Sequence, residues 1–197
     1  MDIAPLDVAG AWVCTPARYA DDRGEFMEWF RADLVAEVTG RAFGTAQANL
    51  SVSRRGVVRG LHVADVPPGQ AKIVACPRGA VLDVVVDVRV GSPTFGRCAT
   101  AVLDDVDRRV MVVAVGLAHG FCALREDSVV SYLVSAPYTP AAERTIDALD
   151  PALALPWPDD LGELSRSPRD AIAPTLAQGQ EQGILPSYED CLAWYAG

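Results

Sequence analysis

Lysine is almost absent from this 197-residue chain: of 17 basic residues, all but Lys72 are arginine. Histidine is as scarce, with only His62 and His119. Basic residues are also too few overall, 17 against 26 acids for a net charge of −9. A nucleic-acid binder needs a clustered cationic surface to neutralise phosphates, so that class is excluded. A phosphorylated small ligand is not, because a few local arginines can hold one. Long apolar runs are missing too: the longest, Val110–Ala118, falls far short of the ~20 residues a membrane span requires. No basic stretch followed by an apolar run opens the chain, so neither a secretory leader nor a membrane partner is expected, and the expected location is cytoplasmic. The five cysteines are odd in number, scattered and without a CxxC pair, which argues against both a zinc ribbon and a disulfide framework.

The middle of the chain has the alternation of β-structure. Gln47-Ala48-Asn49-Leu50-Ser51-Val52 switches polar and apolar with period two, the mark of a strand with unlike faces. Lys72–Cys76 follows the turn signal Pro67-Pro68-Gly69. Val81–Val88 carries Asp83 and Asp87 on one face and Leu82, Val84, Val86 and Val88 on the other. After the turn Gly91-Ser92-Pro93 come further runs at Cys98–Leu103, Arg109–Val115, Gly120–Leu124 and Val129–Ser135. Short strands at this spacing predict an all-β sandwich or barrel. The last third changes character. Ser167-Pro168-Arg169-Asp170 has an N-cap serine, proline at the first helical position and an acid three after the cap, predicting a helix to about Gln178. Ser187-Tyr188-Glu189-Asp190 opens a second short helix, and Arg31–Val38 suits a third.

Lys72 is a compact point charge in a chain that otherwise uses planar guanidinium groups; it is either a survivor at a strand edge or a functional ammonium. His62 in Arg59-Gly60-Leu61-His62 and His119 in Ala118-His119-Gly120-Phe121 both lie in strand contexts beside glycine. They are two satisfied structural histidines or two that reach an interior. As a metal set they are thin, lacking His-x-His or a spaced carboxylate companion; no metal is expected. Gln47, Asn49 and Ser51 form a row of neutral hydrogen-bonders, solvated if outside and a ligand wall if inside. Tyr132 shares a face with Val130 and Val134, as a core tyrosine would. Capping alone explains Asp170. Arg23 and Arg59, each before a glycine, serve as surface charges or as phosphate forks.

In combination and order these segments resemble the dTDP-4-keto-6-deoxyglucose 3,5-epimerases, metal-independent cupins of nucleotide-sugar pathways. The matching residues run from Asp22-Arg23-Gly24-Glu25-Phe26-Met27-Glu28 and Gln47-Ala48-Asn49 through Arg59-Gly60-Leu61-His62 and Gln70-Ala71-Lys72. They continue with Asp83–Arg89, Gly91–Gly96, Ala118-His119-Gly120-Phe121, Tyr132, Tyr138 and Glu143-Arg144. Asp150-Pro151-Ala152-Leu153 and Asp170-Ala171-Ile172-Ala173-Pro174 complete the series. The tail Gln182–Tyr188 is similar to a subset that makes antibiotic deoxysugars, some of which act at carbon 3 or carbon 5 alone. The resemblance implies one cupin domain over 1–197, a jelly-roll β-barrel core at roughly 10–160 with short C-terminal helices in a tail at 161–197. It implies a catalytic set with His62 as base, Asp170 orienting its imidazole, Lys72 at the enolate oxygen and Tyr132 as acid on the opposite face. His119 would line the same pocket, and Arg23 and Arg59 would bind pyrophosphate. Gln47, Asn49, Glu28, Phe26, Tyr138 and Glu143 would surround nucleotide and sugar. It implies no cofactor, a dTDP-4-keto-6-deoxyhexose substrate and a homodimer whose N-terminal residues reach the partner's site. The departures, Ala148-Leu149 before Asp150 and Ala114-Val115-Gly116-Leu117 before Ala118, bear on substrate shape rather than on the acid–base set. The alternatives are a single-carbon epimerase of the same family and a nucleotide-sugar binding cupin without catalysis. A cupin ketoisomerase would need a more His-rich pocket, and a metal-dependent oxygenase would need bound iron.

Overall fold

Period-two alternation sorts the side chains of this chain between two facing sheets. The computed structural model describes residues 1–196. In chain order its elements are β1 (Asp2–Pro5), β2 (Ala11–Thr15), β3 (Arg18–Asp21), β4 (Gly24–Met27), α1 (Ala32–Thr39), β5 (Gln47–Ser53), β6 (Val58–Ala64), β7 (Lys72–Arg78) and β8 (Ala80–Asp87). They continue with β9 (Cys98–Asp104), β10 (Val110–Val113), β11 (Leu117–Ala123), β12 (Ser128–Val134), β13 (Glu143–Thr145), α2 (Pro168–Ala171), α3 (Leu176–Glu181) and α4 (Tyr188–Ala196). One sheet has the order β1-β2-β10-β7-β12-β5, the other β13-β6-β11-β8-β9, and β3-β4 forms a separate hairpin. The main ladders are antiparallel, giving the expected jelly roll as two sheets packed face to face. Among the described residues no ladder joins the two sheets into a closed barrel, and no helix is long and apolar enough to cross a membrane.

Three layers of apolar packing hold the sheets. Val74, Val85, Met111, Leu117 and Phe121 fill the space between them. Val58, Leu61, Val84, Val86 and Cys122 face the other way and are covered by the C-terminal segment through Ile146, Leu153 and Leu176. On the outer face of the six-stranded sheet, Ile73, Val110 and Val112 lie under α1 and its flanking aromatics. β8 is thus buried on both faces, which accounts for its valine run; each such side chain contributes about 1.5–3 kcal/mol. The inward acids Asp83 and Asp87 are fully buried on the same strand and need partners there. Asp87 accepts from Arg89 Nε and Nη2, both at 2.8 Å, and from the Ser92 and Thr94 hydroxyls at 2.6 Å. Burial works to raise its pKa, but those donors outweigh it and leave it lowered. Asp83 is turned to a different use, described below.

The strands β5, β7, β8, β9 and β12 fall within a residue or two of their predicted spans, and α1 starts one residue later than expected. β11 begins three residues earlier than the predicted Gly120. The helix predicted from Ser167 to about Gln178 is two helices. Pro174 pushes Ala173 out of the α-region, so α2 stops at Ala171, and a capping box on Thr175 and Gln178 starts α3 afresh. Ser167 caps α2 as expected, accepting from the Asp170 N–H at 3.1 Å.

Candidate active site

The site is a cavity of about 450 Å³ between the sheets, lined by Gln47, Asn49, Ser51 and Arg59 together with His62, Lys72 and His119. Tyr132, paired with Asn49 across the β12–β5 ladder, completes the lining with Tyr138, Glu143, Arg169 and Asp170. How β6 supplies two of these side chains is the main local device. Strict alternation sends Arg59 and Leu61 to one face and His62 to the other. Opposite β11, however, Phe121 pairs with Arg59 while His119 pairs with His62. Three residue steps along β6 therefore face two along β11, a bulge that re-aims the strand. Arg59 and His62 both point inward, and Leu61 goes to the outer core. Gly60 makes this possible. Its φ is +118°, and a Cβ there would stand 2.6 Å from the Gly120 Cα, so the two main chains touch where any side chain would separate them.

Each histidine holds a carboxylate. His62 Nε2–H donates to Asp170 Oδ1 at 2.8 Å, which leaves Nδ1 as the nitrogen free to accept a proton. Asp170 is buried, and burial works to raise its pKa; the His62 hydrogen bond and charge, the Ser167 hydroxyl and the Gly60 N–H overcome that and leave it lowered. It is therefore an anion poised to stabilise an imidazolium. His119 Nε2–H donates to both oxygens of Asp83, at 3.0 and 2.9 Å. Lys72 is 6 % exposed and donates from Nζ to the His62 carbonyl at 3.3 Å. Burial lowers its pKa, opposed by the nearby Glu143 and Asp83 carboxylates. Tyr132, on the inward face of β12, has its pKa raised by burial and by Glu143, with Arg59 acting against them. Glu143 Oε1 lies 4.0 Å from His62 Nδ1. Among the described residues no group of three or more His, Cys, Asp or Glu side chains is spaced to hold a metal ion.

The row Gln47, Asn49 and Ser51 lies inside, as a ligand wall requires. Gln47 Nε2 donates to Asn49 Oδ1 at 2.6 Å and its Oε1 accepts from the Tyr138 N–H at 2.9 Å. Ser51 Oγ is buried with no partner among the described residues, an acceptor and donor left for a ligand. Arg59 Nε donates to Ser53 Oγ at 3.1 Å. Tyr138 stands at the mouth, where its hydroxyl accepts from Arg169 at 3.2 Å. Ten of the thirteen predicted site residues thus converge on one cavity. Arg23, Phe26 and Glu28 do not. They sit on or beside the β3-β4 hairpin, where Arg23 is paired with Asp21 and nine-tenths exposed and Phe26 is 67 % exposed. Sequence reasoning missed Arg169 as a lining residue, although it immediately precedes Asp170 on the capped turn. It also missed Asp83 as the partner of His119, although the alternation of β8 sets Asp83 apart from its apolar face.

With this geometry in place, comparison with known proteins is informative. The family description of dTDP-4-dehydrorhamnose 3,5-epimerases matches residues 5–178. A dTDP-4-dehydrorhamnose 3,5-epimerase of Mycolicibacterium smegmatis is 52 % identical over 98 % of this chain and 95 % of its own length. A dTDP-4-dehydrorhamnose 3-epimerase of Streptomyces niveus is 51 % identical over 98 % of this chain and 92 % of its own. The crystal structure of NovW, a 4-keto-6-deoxy sugar epimerase from the novobiocin cluster of Streptomyces spheroides, superposes with a TM-score of 0.94 at 51 % identity, covering 97 % of this chain and 95 % of that one.

Proposed function

The chain belongs to the dTDP-4-dehydrorhamnose 3,5-epimerase family, and from that premise we propose that it inverts carbon 3, carbon 5 or both of a dTDP-4-keto-6-deoxyhexose made for a natural product. The observation that carries the reading is the His62–Asp170 pair at 2.8 Å, lining one cavity with Lys72 and Tyr132. The 4-keto group acidifies the hydrogens on its neighbouring carbons. His62 Nδ1 removes one of them, and the Asp170 carboxylate stabilises the imidazolium. Electron density moves to the carbonyl oxygen, where the Lys72 ammonium meets the developing enolate charge inside a site of low dielectric. Tyr132 O–H then protonates the opposite face and the carbonyl re-forms. Proton transfer alone completes the reaction, so no cofactor enters it.

Nucleotide and sugar are held by Arg59, Gln47, Asn49, His119, Tyr138 and Glu143 in this reading. Arg23, Phe26 and Glu28 act on the neighbouring site of a homodimer. In support, the hairpin and the outer face of the six-stranded sheet leave Tyr19, Phe26, Leu50 and Val52 more than half exposed, an apolar surface that a second copy would cover. The chain acts as one cupin domain. It works in the cytoplasm, a reducing setting that suits its five unpaired thiols. Relatives at 52 % and 51 % identity carry different carbon specificities in their names, so identity does not decide between one centre and two.

Proton NMR of dTDP-4-keto-6-deoxyglucose incubated with the protein in deuterium oxide tests the reading. Exchange at carbons 3 and 5 identifies a double epimerase, and exchange at one carbon a single-site enzyme. Binding without exchange at either carbon would overturn an enolising role on this sugar.

A further inference from the structure

An inversion that uses two residues leaves the enzyme with its protons misplaced. After one stroke His62 carries the proton taken from carbon, and Tyr132 has lost the one it gave. Neither a second centre nor a second substrate can be inverted until a proton leaves His62 and another reaches Tyr132. The base nitrogen, Nδ1, does not face Asp170, which holds Nε2. Its nearest carboxylate is Glu143, with Oε1 4.0 Å away, a gap that one bridging water or a small side-chain rotation closes. Glu143 is 9 % exposed at its side chain and lines the same cavity as Tyr132. It opens β13, and that strand is paired to β6 with Thr145 opposite His62, so its position relative to the base is fixed by main-chain register. Among the described residues no hydrogen bond engages its carboxylate, while its main-chain carbonyl accepts from Arg169 at 3.3 Å. The carboxylate is thus held beside the base with no hydrogen-bond partner of its own among the described residues.

We propose that Glu143 is the proton-return group of this site, taking the proton from His62 Nδ1 after each stroke and passing it on toward Tyr132. The balance closes without a co-reactant: the imidazolium loses one proton, the carboxylate gains and releases it, and the phenolate becomes a phenol again. The hand-off runs through cavity water that mixes with the solvent, so in deuterium oxide the hydron that reaches Tyr132 is a solvent deuteron and each inverted centre takes up label. This inference rests on the proposed epimerase function and adds a step to it.

The test is Glu143→Gln under pre-steady-state conditions with dTDP-4-keto-6-deoxyglucose, beside the native enzyme. The variant should give a burst of about one inversion per active site and then a slow phase, with kcat down tenfold or more. The Gln amide keeps the shape and a hydrogen-bonding oxygen with which residue 143 meets the sugar, so KM should stay within about threefold. Imidazole buffer should restore the slow phase in proportion to its concentration, and Glu143→Asp should restore part of it. A merely structural or binding role moves KM or the burst and is not rescued by buffer. Loss of burst and steady state together without rescue would overturn the proposal, as would native-like kcat in Glu143→Gln. Failure of the native protein to exchange any proton of the sugar would instead overturn the epimerase reading itself.

Discussion

Replacing Asp170 by Asn isolates the electrostatic part of catalysis, because the substitution keeps shape and removes one charge. The Asp170 side chain is 5 % exposed and His62 28 %, so solvent screens the pair only in part. With charge centres about 4 Å apart and an effective dielectric of about 20, the imidazolium–carboxylate attraction is worth about 4 kcal/mol. That attraction exists only once His62 has taken the proton, so its loss falls on the barrier and amounts to about 10³-fold in rate. A second effect acts in the same direction. The Asn amide can donate to Nε2 where the carboxylate could only accept, which puts the ring proton on Nδ1 and blocks the base. The N-cap survives, since Ser167 receives the main-chain N–H of residue 170. Asp170→Asn should therefore melt close to the native protein and bind the sugar nucleotide within a few-fold. Its carbon-to-deuterium exchange, followed by proton NMR, should fall about a thousandfold. Exchange within tenfold of native would refute the argument.

Lys72 sets a pH limit. Its folded pKa lies below 10.5 through burial, and its ammonium form is the one that meets the enolate, so turnover should fall as pH rises through that lowered value. Tyr132 is shifted above 10.0 and stays protonated across the same window. The alkaline limb of kcat should accordingly vanish in Lys72→Arg, at reduced overall rate; an unchanged limb would assign it elsewhere. Gly60→Ala places a methyl group 2.6 Å from the Gly120 Cα on a backbone that cannot swing aside. The cost is about 2–4 kcal/mol, or a melting temperature lower by about 5–15 °C, and a native-like melt by circular dichroism would contradict it. Leu50→Asp with Val52→Asp charges the exposed outer face of β5; light scattering should show dimer converting to monomer with loss of turnover. A fully active monomer would exclude cross-chain action by the hairpin.

The alternation of Gln47–Ser53 and the valine run of β8 carried both the sheets and the inner polar wall, because period-two patterns report which face is buried. The order of His62, Lys72, His119, Tyr132 and Asp170 carried the site. What alternation could not carry is the bulge at Gly60, since it breaks the very period being read; counted straight, Arg59 and His62 fall on opposite faces. The break at Pro174 was overridden by a strong cap signal at Ser167, although the proline itself was the stop. The hairpin residues Arg23, Phe26 and Glu28 lie outside their own chain's cavity, and no pattern within one chain specifies whether a second copy would receive them.

The carboxylate that completes the dyad lies 108 positions after the histidine it serves. During synthesis at about 5–20 residues per second, His62 would leave the ribosome about 5–20 s ahead of Asp170. The last strand ends at Thr145, so for about the final 1–5 s of that interval the two sheets can be complete while the imidazole has no anion beside it. A nascent chain stopped before the capped turn at Ser167 should bind nucleotide sugar yet exchange its protons at least about a thousandfold more slowly, so competence waits on the turn that carries Asp170.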